Sequence, residues 1–262
     1  MNIKALLNNL TSSIQKTQGL NDALKRLLWL YNRSELKKTH IKFNYPAPIG
    51  NVELMVRDNG GADGFIFSEV FDQQCYNLPL DENTAYIIDL GANAGFTAVY
   101  FSRLFPKATI ACVEPMPGNI QLLKENLTLN NVNAVIFEAA ASVKDEQIAM
   151  EIADKDYANK VHNIPFGKSI SDDTITVKGL GMQTILTQLN WPHVDLLKID
   201  IEGYEGILLS TNNSWLNKVS VIIMEIHEGV TIDLVKAITD PYGFTYVVLQ
   251  QGNWVLSKNR LF

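Results

Sequence analysis

From residue 85 onward, short apolar segments alternate with segments of helical periodicity, and this alternation constrains the fold more than any other feature. Tyr86–Asp89, Thr109–Val113 and Ala134–Phe137 are short apolar runs, each followed by turn residues. Buried strands separated by helices are typical of a parallel sheet covered on both faces. The chain therefore predicts an α/β fold with a doubly wound, Rossmann-like sheet. Further predicted strands are 194–199 and 219–226, with a closing hairpin at 244–249 and 253–257; predicted helices are 94–105, 117–129, 182–190, 204–209 and 231–239.

The first 80 residues have a different pattern. Leucines at helical spacing predict helix over residues 1–40, with a break at Gly19. Alternation over 41–58 predicts a hairpin, and 64–78 predicts a short helix and loop. We therefore expect residues 1–80 to form an appendage, either an acceptor lid or an oligomer contact, beside a main domain at 81–262. Within that domain, Gln147–Ile152 and Thr174–Lys178 predict an inserted antiparallel hairpin.

Charge and cysteine content exclude several classes of protein. Lys and Arg number 22 and Asp and Glu 28, a net charge of −6, so the chain lacks the basic footprint of a nucleic-acid or anionic-membrane binder. Two cysteines are too few for a disulfide scaffold or a four-cysteine zinc site, and Cys112 is expected to be a reduced core residue. No apolar run approaches the length of a membrane span. A cytoplasmic protein without nucleic-acid or membrane partners is expected.

The turn after the first strand carries the first candidate site. Asp89, Gly91, Asn93 and Gly95 precede a helix beginning near Phe96. The glycines allow close approach of a ligand to the backbone, but the middle glycine of a dinucleotide turn is missing. Asp89 would repel a pyrophosphate and can bind an ammonium group, directly or through water. This spacing favours a zwitterionic, amino-acid-like ligand.

The next two strand ends complete a nucleoside site. Glu114 follows the glycine turn by about 20 residues, where a carboxylate can accept hydrogen bonds from ribose hydroxyls. After the third strand, Glu138 or a nearby backbone group is a candidate partner for an adenine amino group, and small residues such as Ala140 leave room for the ring. S-adenosylmethionine combines an amino-acid end with a nucleoside and fits these features.

Charged residues at two later strand ends are candidates for catalysis. Lys198, Asp200 and Glu202 follow one strand, and Glu225 and His227 follow the next. If the strands are neighbours and these segments are extended, their side chains meet at one rim. Asp200, Glu225 and His227 could bind Mg²⁺ or Mn²⁺, or could provide a general base for a hydroxyl.

These motifs together resemble those of FkbM-type methyltransferases. The resemblance lies in four segments: Ile88–Phe96, Glu114–Asn119, Asn126–Asn131 and Leu196–Gly203. It implies a class I methyltransferase fold with a seven-stranded sheet whose last strand is antiparallel. It also implies S-adenosylmethionine as methyl donor and O-methylation of a sugar or secondary-metabolite hydroxyl.

The resemblance also implies roles for particular residues. Asp89, Gly91, Asn93 and Gly95 would shape the donor pocket, with Phe96 a further candidate for donor binding. Glu114 would hold the ribose with Asn119 close by, while Asp200 would lie at the transfer site. Glu69 and Tyr76 are candidates for covering the donor. The family often carries Thr-Leu-Asp where this chain has Gly181-Met182-Gln183, so no acceptor contact is assigned there.

The sequence thus predicts an S-adenosylmethionine-dependent O-methyltransferase whose catalytic domain is residues 81–262. Two alternatives stay open: an NAD-dependent oxidoreductase on a similar sheet, and a nucleoside-binding protein without catalysis. Asp89 and the missing glycine argue against the first, and Asp200 with Glu202 argues against the second.

Overall fold

The computed structural model describes residues 3–31, 38–151 and 174–261. The strands are β1 Lys38–Asn44, β2 Asn51–Arg57, β3 Tyr86–Leu90, β4 Thr109–Glu114, β5 Ala134–Glu138, β6 Ala140–Ser142, β7 Glu146–Glu151, β8 Thr174–Gly181, β9 Val194–Ile199, β10 Val219–Met224, β11 Tyr246–Gln250 and β12 Asn253–Ser257. The α-helices are α1 Ile3–Lys16, α2 Leu20–Leu30, α3 Ala62–Phe67, α4 Phe96–Leu104, α5 Pro117–Leu129, α6 Met182–Leu189, α7 Glu205–Ser210 and α8 Ile232–Thr239. A π-helical segment, Ser68–Asp72, continues α3, and 3₁₀ segments occupy Asn213–Lys218 and Asp240–Tyr242.

Seven strands form the central sheet in the order β11-β12-β10-β9-β3-β4-β5. β3 pairs in parallel with β4 and β9, and β12 lies antiparallel between β10 and β11. The predicted doubly wound α/β sheet with an antiparallel last strand is confirmed. The chain leaves β3 towards β4 and β5 and then returns to β9 on the other side. The strand order therefore reverses at β3, and ligands bind at the carboxyl ends of strands beside such a reversal.

Both faces of the sheet are covered, which explains its continuous apolar runs. Ile87 and Ile88 are adjacent in β3 and fully buried, yet they belong to different core clusters because successive side chains point to opposite faces. Cys112 in β4 is a buried free cysteine, as predicted. The first of these clusters also contains Phe43 and Phe67, so the N-terminal segment and the sheet share a core.

The N-terminal elements confirm the break near Gly19 and the hairpin, β1 with β2. Residues 38–40 were predicted as the end of the helical segment, and this was wrong: they begin β1 because they pair with residues 55–57 of β2. Residues 1–2 and 32–37 lie outside the described residues. The short helix predicted near 64–78 begins earlier, at Ala62.

The insertion after β5 is a three-stranded sheet in the order β6-β8-β7. β7 and β8 are antiparallel, as predicted, while β8 also pairs in parallel with β6. The sequence missed this second pairing because β6 spans only Ala140–Ser142, too short to show a pattern. Residues 152–173, including the predicted strand end at Ile152, lie outside the described residues.

None of the helices in the described parts of the chain has the length and apolar composition needed to cross a membrane. The longest, α1, has 14 residues, whereas a bilayer requires about 20.

Candidate active site

The turn after β3 is tight enough to require glycine at two positions. Gly91 has a φ of +77°, and a Cβ atom there would lie 1.8 Å from the carbonyl oxygen of Asp200. Gly95 has a φ of +81°, and its Cβ would lie 2.6 Å from Cδ1 of Leu123 in α5. The predicted reason for the glycines, close approach without a side chain, is therefore visible, although the atoms approached belong to the chain itself.

A cavity of about 340 Å³ opens beside this turn, at the carboxyl ends of β3, β4, β9 and β10. It brings together residues that are more than a hundred positions apart in the sequence. The predicted site residues that line it are Gly91, Asn93, Phe96, Glu114, Asn119, Ala140, Asp200, Glu225 and His227 from the main domain, with Glu69 and Tyr76 from the N-terminal segment.

Glu114 at the end of β4 is held in one orientation by three donors. Its Oε2 accepts from the backbone N–H of Asn93 at 2.8 Å. Its Oε1 accepts from the backbone N–H of Met116 at 3.0 Å and from Nδ2 of Asn119 at 3.1 Å. Burial raises the pKa of Glu114, and these hydrogen bonds act in the opposite direction. A carboxylate has about four acceptor positions, so the contacts among described residues leave one on Oε2 for a ligand hydroxyl.

Asp89 lies beneath the cavity rather than in its wall. Its side chain is fully buried, and its Oδ1 is 3.0 Å from Nζ of Lys198. The same Nζ donates to the carbonyl oxygen of Gly91 at 2.9 Å and lies 3.4 Å from Oδ2 of Asp200. A cation of the chain itself therefore faces Asp89, and a contact with a ligand amine, direct or through water, stays a prediction. Burial opposes the charge on Lys198, but the carboxylates of Asp89 and Asp200 raise its pKa.

Glu138 points away from the cavity. Its side chain is 56% exposed, and its Oε1 lies 2.6 Å from Nζ of Lys124 on α5. The Glu138 carboxylate therefore does not line the cavity, because the final residue of β5 faces solvent, while the alternative contact of adenine with a nearby backbone group stays a prediction. Ala140 and Ala141 of β6, in contrast, line the cavity. They leave the space that the sequence predicted.

The rim of the cavity is formed by loops and not by extended strand ends. β9 ends at Ile199 and β10 at Met224, and Glu202 has a left-handed φ of 56°. The predicted strand 219–226 is therefore too long by two residues. Ligand atoms of Asp200, Glu202 and His227 nonetheless lie within 4.8 Å of one another. The predicted meeting of carboxylates and an imidazole is present, with Glu202 joining the group and Glu225 at 3.9 Å from His227.

A buried carboxylate fixes His227. Nδ1 of His227 lies 2.9 Å from Oε1 of Glu205, which is fully buried and also accepts from the backbone N–H groups of Ile201 and Gly203. This hydrogen bond raises the pKa of His227 to about 9. Burial alone would raise the pKa of Glu205, but the bonds from His227 and the backbone lower it. His227 is therefore an imidazolium at neutral pH, with Nε2 directed towards Glu202.

The remaining carboxylates of the rim crowd one another. Burial, together with the charges of Glu225 and Asp200, raises the pKa of Glu69 to about 7. Burial and Asp200 raise the pKa of Glu202 to about 7, and the same two causes raise that of Glu225. At neutral pH this end of the cavity can bind and release protons. It is also suited to a cationic ligand.

Two residues of the site were missed by the sequence analysis. Glu205 occurs in the Asp-x-Glu-Gly-Tyr-Glu segment, five residues after the rim loop begins at Asp200, and a carboxylate there could have been considered as a partner for a histidine. Arg57 ends β2 and donates from Nη1 to Oδ1 of Asn119 at 2.8 Å. It follows a simple alternating strand, so no local signal connects it with a residue 62 positions later.

Comparison with known proteins identifies a family. The family model described as the methyltransferase FkbM domain matches residues 89–238, more than half of the chain. "Methyltransferase 1" of Beauveria bassiana is 23% identical over 209 residues, which cover 72% of this chain and 84% of that protein. "Hexuronic acid methyltransferase AglP" of Haloferax volcanii is 27% identical over 145 residues, covering 54% of this chain and 56% of that protein. Among solved structures, fibrillarin of Aeropyrum pernix with S-adenosyl-L-methionine is similar with a TM-score of 0.42 and 14% identity, covering 82% of this chain and 80% of fibrillarin.

The fold, the glycine turn with its neighbouring acidic strand end, and the match over residues 89–238 agree. The chain belongs to the FkbM-domain methyltransferases.

Proposed function

We propose that this methyltransferase uses S-adenosylmethionine to methylate a hydroxyl group of a small molecule, a sugar or a secondary metabolite. The observation that carries the proposal is the orientation of Glu114. Three donors fix its carboxylate at the second strand end, beside the glycine turn, with one acceptor position left on Oε2. A carboxylate so placed suits a ribose hydroxyl.

The chain's residues fit the rest of the donor. Asn119 donates one Nδ2 hydrogen to Glu114 and has a second for a neighbouring hydroxyl. Small side chains of Ala140 and Ala141 leave space for an adenine ring, while Tyr76 and Phe96 line the wall. The excess of carboxylates at Asp200, Glu202 and Glu225 favours a sulfonium cation. When bound, S-adenosylmethionine supplies an already activated methyl group.

The chain must then position the acceptor and remove its proton. Proximity and orientation can lower such a barrier by about 7–11 kcal/mol. His227 is held as a cation by Glu205, so it cannot accept a further proton at neutral pH. Glu202 and Glu225 are better proton acceptors, because burial and the charge of Asp200 raise their pKa values, that of Glu202 to about 7, and a base with a pKa near the working pH is the most effective. We assign proton removal to this group, with His227 balancing its charge.

The same residues could instead bind a divalent cation. Asp200 and Glu202 offer the oxygen ligands that Mg²⁺ and Mn²⁺ prefer. A metal would have to displace the proton on Nε2 of His227 to bind there, while Glu205 holds Nδ1, a common arrangement for histidine ligands. A cation there would polarise the acceptor hydroxyl. EDTA should abolish transfer, and Mg²⁺ or Mn²⁺ should restore it, if a metal takes part. Full activity in EDTA leaves the carboxylates as the base.

The acceptor is expected to be neutral or positively charged at the reacting end. Glu69, Glu202 and Glu225 face this part of the cavity and would repel an acid. The relative named as a hexuronic acid methyltransferase therefore differs from the preference proposed here. Residues of α3 and the π-helical segment, including Phe65 and Glu69, form one wall, which supports the expectation that residues 1–80 contribute an acceptor lid.

Calorimetry with S-adenosylhomocysteine tests the donor, with NAD⁺ as the comparison ligand. We expect S-adenosylhomocysteine to bind and NAD⁺ not to bind. Mass spectrometry of a panel of sugars and polyketides incubated with S-adenosylmethionine then tests transfer, through a gain of one methyl group on oxygen. Binding of NAD⁺ alone would support the oxidoreductase instead, and donor binding without any transfer would support the binding protein.

A further inference from the structure

We propose that Arg57, from the N-terminal hairpin, is a positioning residue for the donor site and sets the affinity for the methyl donor. The inference rests on the proposed function and goes beyond it, because it assigns the hairpin a role at the donor end of the cavity. Arg57 lies outside residues 89–238, the part of the chain that matches the family model.

The guanidinium of Arg57 is anchored before it reaches the site. Nη2 lies 2.7 Å from Oδ1 of Asp63, and Nε lies 3.2 Å from both carboxylate oxygens. Asp63 in α3 is fully buried, and its Oδ2 also accepts from the backbone N–H of Arg57 at 2.8 Å. Asn59 donates to Oδ1 of the same carboxylate at 2.9 Å. Fork-shaped pairs of this kind fix geometry as well as charge.

The same guanidinium also contacts two residues of the donor pocket. Nη1 donates to Oδ1 of Asn119 at 2.8 Å, and Nη2 donates to Oδ1 of Asn93 at 3.2 Å. Both asparagines contact Glu114, Asn119 through Nδ2 and Asn93 through its backbone N–H. One arginine therefore contacts two of the three residues whose N–H groups hold the Glu114 carboxylate.

This contact and the one with Glu114 together hold the Asn119 amide in one orientation. An arginine can only donate, so it requires the oxygen of the amide, and an ionised carboxylate can only accept, so it requires the nitrogen. With Arg57 in place, only one orientation satisfies both neighbours. Without Arg57, Glu114 still favours the amide nitrogen, but the amide oxygen loses its donor, and the side chain that offers its second N–H to the ligand is held on one side only.

A second set of contacts keeps the hairpin at this distance. Asn126 of α5 accepts from the backbone N–H of Met55 at 2.7 Å and donates to the carbonyl oxygens of Met55 and Ala94. Asn130, one helical turn later, makes the corresponding pair with Glu53 of β2. The two side-chain amides thus pair with alternate residues of β2. Because Ala94 belongs to the glycine turn, Asn126 connects the strand that carries Arg57 with that turn.

The test compares Arg57→Lys with a matched variant, Lys38→Gln. Lysine keeps a cation beside Asp63 but lacks the fork that reaches both asparagines. Lys38 is another hairpin cation that reaches α5, pairing with Glu125 at 2.6 Å, in an exposed position. We expect Arg57→Lys to raise the Kd for S-adenosylhomocysteine and the KM for the donor by about tenfold, which is the effect expected from the loss of one hydrogen bond that involves a charged group. We expect kcat at saturating donor and the acceptor KM to change less than about twofold, and Lys38→Gln to leave the Kd unchanged.

A double-mutant cycle with Asn119→Ala completes the test. If Arg57 acts through Asn119, the two changes together should cost little more than one of them; additive effects would overturn the proposal. It is also overturned if folded Arg57→Lys binds with wild-type affinity, or if Lys38→Gln weakens binding equally. Should Arg57→Lys fail to fold, Asn119→Ala must still raise the Kd for the proposal to hold. Absence of binding by the wild-type chain would instead refute the proposed function.

Discussion

The carboxylates at the two ends of the cavity differ in their neighbours: the neighbours at the donor end are hydrogen-bond donors, and the neighbours at the rim are other carboxylates. At the donor end, Glu114 is buried and receives hydrogen bonds from two backbone N–H groups and Asn119. At the rim, Glu69 and Glu202 have carboxylates for neighbours, and their pKa values rise to about 7. At the donor end, the hydrogen bonds that orient the carboxylate are formed without a ligand. At the rim, the negative charge of the carboxylates must be balanced by a ligand, a proton or a cation.

This difference assigns different tasks to the two ends. A preorganised carboxylate binds without reorganising, so the donor end should contribute affinity. Groups that titrate near neutral pH can exchange protons with a substrate, so the rim should contribute chemistry. Lys198 lies between the two ends, because Nζ contacts Asp89 and Gly91 on one side and Asp200 on the other.

Replacing Lys198 should remove contacts at both ends of the cavity and produce the largest loss of stability. Lys198→Met leaves the fully buried Asp89 carboxylate without its cation, and loss of one partner of a buried pair typically costs about 3–5 kcal/mol. Urea denaturation should show this loss, and Tm should fall by roughly 6–20 °C.

The double variant Asp89→Asn with Lys198→Met should recover much of that loss, because no buried charge then lacks a partner. Lys124→Met, which removes the exposed pair with Glu138, should cost less than about 1 kcal/mol. A Lys198→Met protein within 1 kcal/mol of wild type would contradict the view that this pair joins the two ends.

Glu114→Ala should sharpen the comparison by removing the donor end alone. Hydrogen bonds to a charged group contribute about 1.5–3 kcal/mol, so the Kd for S-adenosylhomocysteine should rise between tenfold and a hundredfold. Calorimetry measures this rise, and Glu138→Ala, at the end of the neighbouring strand but facing solvent, is the matched control. Unchanged affinity in folded Glu114→Ala would refute the ribose assignment.

The same contrast explains what could be predicted from the sequence. Glu114, Gly91 and Asp200 lie at strand ends and belong to local motifs. Because the ends of parallel strands meet at one edge of the sheet, the sequence pattern predicted that these residues share a site, and they line one cavity. Asp89 also has a motif position, but its burial under Lys198 depends on which side chain the neighbouring strand supplies. The pairing of β3 with β9 brings these two residues directly opposite each other.

The contribution of Arg57 could not be predicted for a different reason. Glu69 and Tyr76 were candidates from the sequence and line the cavity, but Arg57 reaches the site only because the hairpin packs on α5, and the strand that it ends carries no signal of that contact. The helix predicted through residue 40 was wrong in its last residues because strand pairing with β2 outweighed local propensity. Long-range pairing and packing therefore decided the features that the local pattern missed.

The charge on His227 should give the rim a pH signature that the donor end lacks. Its pKa is raised to about 9 in the folded chain from about 6.5 when unfolded. Its stabilisation is therefore complete below pH 6.5 and is lost as the pH rises through 9. We expect about 1–2 kcal/mol over this range, after allowing for partial exposure of the ring. Thermal melts of His227→Gln should show a flatter dependence on pH between 6.5 and 9; a slope equal to that of wild type would contradict the Glu205–His227 pair.

Glu69→Gln should relieve the crowding at the rim and slightly stabilise the ligand-free chain. The pKa of Glu69 is raised to about 7 from 4.5, so its ionisation costs stability as the pH rises between these values. Removing it should have little effect at pH 4.5 and should raise Tm by about 2–4 °C at pH 8, equivalent to about 1 kcal/mol after solvent screening. The exposed acid Glu82 provides the control variant. A gain in stability accompanied by a higher KM for the acceptor would show that the crowded carboxylates are retained for function. An unchanged or lower Tm at pH 8 would show that ionised Glu69 does not destabilise the folded chain.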